Sequence, residues 1–146
     1  MSEQQMILIV EQSVKRFNAK DLDGFLDMYE RSVVFHGYSR NLRPGVAGLK
    51  DYYAQLRAAF PDMRITTEDI FGMGDKIAHR YTVYGTHRAE YLGHAPSMKL
   101  VIAPGMMIHH FSSQKVRETW QLADNYKFLV QIGAIAQPAA APVLRR

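Results

Sequence analysis

The chain has 146 residues, no cysteine and a formal net charge of +4 at pH 7. That length suits one domain burying about two thirds of its unfolded surface, and the missing cysteine excludes disulfides, thiolate metal sites and a thiol nucleophile. The basic residues are scattered apart from Arg40 with Arg43 and the terminal Arg145-Arg146, so a nucleic-acid partner is not expected.

The opening M-S-E-Q-Q-M-I-L-I-V-E-Q lacks the basic start and longer apolar run of a signal peptide, and no run approaches the roughly 18 apolar residues of a membrane span. A soluble, cytoplasmic protein with no membrane partner is expected. Met6, Ile9, Val10, Val14 and Phe17 recur at three- and four-residue steps, which predicts an amphipathic helix over 3–18. Asp21 is placed to cap a short second helix carrying Phe25, Leu26 and Tyr29. S-V-V-F-H-G reads as a short strand, and Leu49, Tyr52, Tyr53, Leu56, Ala59 and Phe60 give a third helix that stops at Pro61.

From Met63 the period becomes two, predicting strands over 63–73, 76–87, 99–110 and 116–123, with turns at Gly74-Asp75 and Ser113-Gln114. Pro104-Gly105 suggests a bulge or an edge position in the third of these. A last short helix is predicted from Tyr126 to about Ile135, carrying Phe128, Leu129 and Ile132. Residues 1–136 read as one domain and 137–146 as a mobile tail. Helices followed by consecutive antiparallel strands predict an α+β fold, a strongly curved sheet closed by helices into a cone with an apolar pocket.

No Walker loop, H-E-x-x-H or G-x-S-x-G is present. The six histidines lack ligand spacing, so no metal is expected. Strict alternation over 116–123 puts Val116, Glu118, Trp120 and Leu122 on the core face, and Asp124 keeps their parity. At a strand-to-helix junction an aspartate reads as a helix N-cap or as a carboxylate aimed into the cavity. A two-residue turn at Ser113-Gln114 sets Phe111 opposite Val116 and His109 opposite Glu118, sending His109 inwards, whereas a longer turn exchanges His109 and His110. On the strand over 76–87, His79, Tyr81, Val83 and His87 share a face.

The runs G-L-K-D-Y-Y-A-Q-L-R-A-A-F-P-D-M-R, G-D-K-I-A-H-R-Y-T-V-Y-G-T-H, Y-L-G-H-A-P-S, and K-V-R-E-T-W-Q-L-A-D with F-L-V-Q-I-G resemble the SnoaL-like polyketide cyclases (ester cyclases), over roughly residues 21–134. The resemblance implies the cone-shaped α+β barrel of nuclear transport factor 2 and ketosteroid isomerase. It also implies intramolecular aldol ring closure of a hydrophobic polyketide-like carbonyl compound without metal or cofactor. The aspartate of W-x-x-x-D, here Asp124, is then the general acid/base, and the family spacing makes His110 its partner where alternation favours His109. The loops depart from the family pattern, with P-S-M-K in place of P-T-G-K and S-Q-K in place of D-G-K, which bears on pocket rim and substrate.

The base must take a proton from carbon between two carbonyls, and burial of a carboxylate in an apolar cone would raise its pKa towards that task. His109, His110, Arg80 or Tyr53 could then donate to the enolate oxygen. His36, Tyr53, His87, His109, Glu118 and Trp120 are expected to line the substrate pocket. Two other readings stand beside the cyclase: a hydrolase or dehydratase in which Asp124 activates water, and a non-catalytic binding or dimerisation module in which Asp124 only caps its helix. A homodimer through the open sheet face is expected.

Overall fold

A computed structural model describes residues 1–39 and 41–136; the expected tail, 137–146, lies outside the described residues. The elements in chain order are α1 (Glu3–Asn18), α2 (Leu22–Leu26), β1 (Tyr29–His36), α3 (Val46–Ala59), β2 (Arg64–Met73), β3 (Lys76–Thr86), β4 (Leu100–Ser112), β5 (Lys115–Ala123) and α4 (Asn125–Gln131). Among the described residues no helix is long and apolar enough to cross a membrane.

Except for α3, which starts at Gly45 without a side-chain cap, each helix begins where a side chain satisfies one of its first backbone donors. Ser2 Oγ accepts from the Gln5 N–H while the Gln5 side chain accepts from the Ser2 N–H, closing a capping box on α1. Asp21 Oδ1 accepts from the Gly24 N–H at 2.9 Å and starts α2. The apolar face of α1 buries Met6, Val10, Val14 and Phe17, and Ser13 on that face donates to the Phe25 carbonyl at 2.7 Å.

The strands form one mixed, curved and open sheet in the order β1-β5-β4-β3-β2, with β1 parallel to β5 and the other pairs antiparallel. Its concave face meets α1 to α3 in a core that includes Phe17, Phe25, Leu49, Phe60, Ile77 and Val116. Alternation holds along β3 and β4: Ile77, His79 and Tyr81 point inwards from β3, and Val101, Ala103, Met107, His109 and Phe111 from β4.

Two expectations fail in the sheet. Pro104-Gly105 makes neither a bulge, for β4 runs unbroken past it against β3, nor an edge strand, for β4 lies between β5 and β3, although the β5 ladder ends at Gly105. The Pro104 carbonyl accepts from the Asp124 N–H at 3.2 Å, so the missing proline donor faces the place where β5 gives way to α4, where no ladder partner is needed. Gly105 is glycine because the Tyr81 ring covers it; a Cβ there would lie 2.4 Å from that ring.

The second failure is the parity of β5. The turn at Ser113-Gln114 has two residues, both with positive φ (49° and 72°), and Phe111 faces Val116 as expected. His110, however, faces Glu118, and the ladder shifts at that step, leaving Arg117 as the extra residue of a bulge. Beyond it Thr119 and Gln121 are the buried residues, and Trp120 and Leu122 point out.

Candidate active site

Between the concave sheet face and the helices lies a cavity of ≈ 70 Å³, several times the roughly 10–15 Å³ that admits one water. α1 contributes Val10, Val14 and Phe17 to its wall, and α3 contributes Tyr52, Tyr53 and Leu56. The sheet supplies Tyr29, His79, Tyr81, Met107, His109 and Gln121, while Tyr91, Asp124, Asn125 and Phe128 gather at one end. Phe128 of α4 packs edge-on against Phe60 at 4.9 Å and beside Tyr91 at 5.5 Å, which fixes α4 and the 87–99 loop as one side of the opening.

Asp124 is the only carboxylate among the described residues lining this cavity. Its Oδ1 accepts from the Lys127 N–H at 2.9 Å, so it is the N-cap of α4. The cap engages one oxygen of a carboxylate that lines the cavity, and no hydrogen bond to Oδ2 is found among the described residues. The residue is exposed rather than buried in the apolar cone as the sequence led us to expect, because the chain turns outward into α4 at this point.

Of the two adjacent histidines, His109 points inwards and is fully buried. Its Nδ1 lies 2.9 Å from Thr119 Oγ1, and its Nε2 has no hydrogen-bond partner among the described residues. Burial, and then the neighbouring His79, hold its pKa down at about 3. His79 lies in the same wall with Nε2 2.9 Å from Thr67 Oγ1, and burial takes its pKa to about 4. Both imidazoles are therefore neutral at physiological pH.

His110 is on the opposite face. Its Nε2 is 2.8 Å from Asp75 Oδ2 in the β2–β3 turn, and Arg117 Nη2 is 3.4 Å from its Nδ1. His110 and Asp124 are not brought together, since Asp124 is tied to Pro104, six residues away along β4, about 20 Å at 3.3 Å per residue. His109 does not touch Asp124 either: it pairs with Thr119 while Ala123 pairs with Gly105, four residues, or about 13 Å, up the strand.

The bulge at Arg117 also moves two other expected pocket residues, Glu118 and Trp120, outside, where His36 of β1 joins them. Glu118 Oε2 lies 2.8 Å from His36 Nε2, and the His36 ring stacks on Trp120 at 5.3 Å, all on the convex face, where Trp120 is 37% exposed. Arg80, a proposed donor, is on that face too, where its Nε donates to Asp69 at 2.8 Å. His87 is buried behind the cavity: its ring stacks on Phe60 and its Nδ1 accepts from the Ser97 N–H at 3.1 Å, so it holds the 87–99 loop. Tyr53 does line the cavity, its hydroxyl 3.0 Å from that of Tyr38.

Gln121, Tyr29, Tyr52, Tyr81 and Tyr91 complete the polar lining and were not singled out in the sequence. Tyr81 donates to Gln121 Oε1 at 3.2 Å, which leaves the Gln121 amide N–H groups as donors. Burial raises the pKa of all four tyrosines, so each presents a neutral hydroxyl. Alternation along β3 already put Tyr81 beside His79; Gln121 was hidden by the unread bulge. Among the described residues no three His, Asp or Glu side chains converge as a metal-binding group.

The family profile of the SnoaL-like polyketide cyclases matches residues 7–132. The chain belongs to that family. No match is found among curated proteins. Among solved structures it is similar to AclR, a proposed hydroxylase from Streptomyces galilaeus, at 25% identity and a TM-score of 0.81 over 92% of this chain and 99% of that one. It is similar also to IdmH, a proposed polyketide cyclase from Streptomyces antibioticus, at 26% identity and 0.75 over 88% and 99%. TsrD from Streptomyces laurentii, at 18% identity and 0.83 over 92% and 99%, supports the fold alone.

Proposed function

We propose that the protein is a cofactor-independent cyclase or isomerase that uses Asp124 as general base on a hydrophobic, carbonyl-bearing, polyketide-like compound. The observation that carries this is the single carboxylate, among the described residues, at the rim of a cavity otherwise lined by aromatic, aliphatic and neutral polar groups. Asp124 Oδ2 takes a proton from the carbon between two carbonyls, and the resulting enolate carbon attacks a second carbonyl to form the ring bond. The proton returns to the alkoxide so produced. Gln121 and Tyr52, which also line the cavity, then donate to the enolate oxygen, in surroundings where each hydrogen bond counts for more than in water. IdmH, a proposed polyketide cyclase, supports the substrate class.

Asp124→Asn tests the reading, since asparagine caps a helix about as well as aspartate but cannot accept the proton. Turnover of a panel of aromatic β-dicarbonyl esters is expected to fall on the order of 100-fold or more while the melting temperature holds. Unchanged turnover would sink the role. The bond from Lys127 favours a second reading, a binding module in which Asp124 only caps α4; in that case no member of the panel turns over and wild type and Asp124→Asn bind alike.

The convex face supports a homodimer as the working unit. Phe71, Met106, Ile108, Trp120 and Leu122 expose apolar surface around a shallow groove there, more than isolated surface residues require. A sedimentation experiment at micromolar concentration should show a dimer, and a monomer alone would overturn this.

A further inference from the structure

Three buried side-chain atoms have no hydrogen-bond partner among the described residues: Tyr29 Oη, His109 Nε2 and His87 Nε2. Buried polar atoms are almost always paired, because desolvation without compensation costs stability. His87 is behind the cavity, but Tyr29 and His109 both line it, and their rings meet edge-on at 6.1 Å. They come from different elements. Tyr29 opens β1 opposite Val116, and His109 lies opposite Thr119, so their backbones stand towards the β4–β5 turn, the end of the cavity away from Asp124, which we call its floor.

We infer that this floor is a second recognition point, binding a neutral oxygen function on the far end of the substrate, a ring hydroxyl or carbonyl, between Tyr29 Oη and His109 Nε2. This rests on the reading of the cavity as the substrate site. Anchored there, a flat molecule reaches along β4 so that its reacting carbon comes to rest under Asp124, about 13 Å away. The distance suits a fused bicyclic or tricyclic compound.

The chemistry of the pair selects the class of group. His109 is neutral and fully buried with no carboxylate against it, and Tyr29 keeps its proton, so the floor offers no countercharge to an anion. The Tyr29 hydroxyl can give or take a hydrogen bond. The tautomer of His109 decides its partner. If Thr119 Oγ1 donates to the Ile108 carbonyl, 3.3 Å away, His109 Nδ1–H donates to Thr119 and Nε2 accepts from a ligand hydroxyl. If Thr119 donates to Nδ1, Nε2–H donates to a ligand carbonyl. Met28, Met63 and Met107 also line the cavity, and such flexible side chains can move aside to uncover both atoms.

Three probes of one shape test this on the intact protein: 2-naphthol, 2-naphthaldehyde and 2-methylnaphthalene, with affinity read by titration calorimetry and the His109 ring by ¹⁵N resonance. The naphthol or the aldehyde should bind about tenfold tighter than the hydrocarbon, with the His109 Nε2 resonance shifted, and which of the two wins identifies the tautomer. Tyr29→Phe should remove that preference while melting no lower than wild type, since it deletes an unpaired buried hydroxyl. Equal binding of all three probes, binding of none, or a preference that survives Tyr29→Phe with Nε2 unmoved would each overturn the inference. Asp124→Asn should keep the preference. If it keeps turnover as well, the base assignment fails and the floor site stands; if turnover needs Asp124 but the probes bind alike, the reverse holds.

Discussion

On the proposed reading Asp124 carries two demands on one carboxylate, and its two oxygens let them be met separately. Oδ1 holds the first turn of α4 through the Lys127 N–H, and Oδ2 is the oxygen we assign to the chemistry. Asp124→Ala should therefore lose about 1 kcal/mol of stability with the cap as well as activity, while Asp124→Asn should lose activity alone; chemical denaturation of the two variants side by side checks this. The buried histidines give a second prediction. Their native pKa values, about 3 for His109 and about 4 for His79, lie below the ordinary value near 6.5. Above that pH both are neutral in either state. As pH falls below it the unfolded chain takes up protons that the fold refuses, so stability drops by about 1.4 kcal/mol per pH unit for each histidine, until the native pKa is reached. Denaturation midpoints should decline steeply from about pH 6 to 4, and His79→Gln should flatten the slope.

At the scale of elements, the β4–β5 hairpin decides which residues the cavity sees. Ser113 and Gln114 both adopt left-handed backbone conformations (φ 49° and 72°), a strained arrangement for residues with a Cβ that Asn-Gly accepts readily. Replacing the pair by Asn-Gly should raise the thermal midpoint, corresponding to about 1 kcal/mol, without changing ligand binding. Gly105→Ala should act in the opposite direction, costing about 1–3 kcal/mol by driving a methyl group into the Tyr81 ring and disturbing its bond to Gln121; a melt together with a probe titration would show both effects. The same hairpin marks how far the sequence could be read. The apolar spacing of α1 and the period-two runs of β2 to β5 were legible, because each has one buried face. The bulge at Arg117 was not, because it carries no glycine or proline and follows from two local needs: Val116 packs in the core while Thr119 meets His109. That single extra residue turned Glu118 and Trp120 out and Gln121 in, whereas the unbroken alternation of β4 sets His109 inside and makes His110 an outer-face partner of Asp75.

For the molecule as a whole, the curved sheet does two jobs with its two faces. The concave face and the helices enclose the cavity, and the convex face leaves Phe71, Met106 and Leu122 exposed, which is the surface we assign to a second copy. Met106→Lys with Leu122→Lys should give a monomer by sedimentation with the probe preference intact, since neither residue lines the cavity. The central claim is that Asp124 removes a proton from carbon. Its most direct measurement is the wash-in of deuterium from solvent at the acidic carbon of an aromatic β-dicarbonyl held by the protein, followed by NMR for wild type and Asp124→Asn. Our account predicts exchange well above the solution rate in wild type and a loss on the order of 100-fold in the variant; equal exchange in both proteins would contradict it.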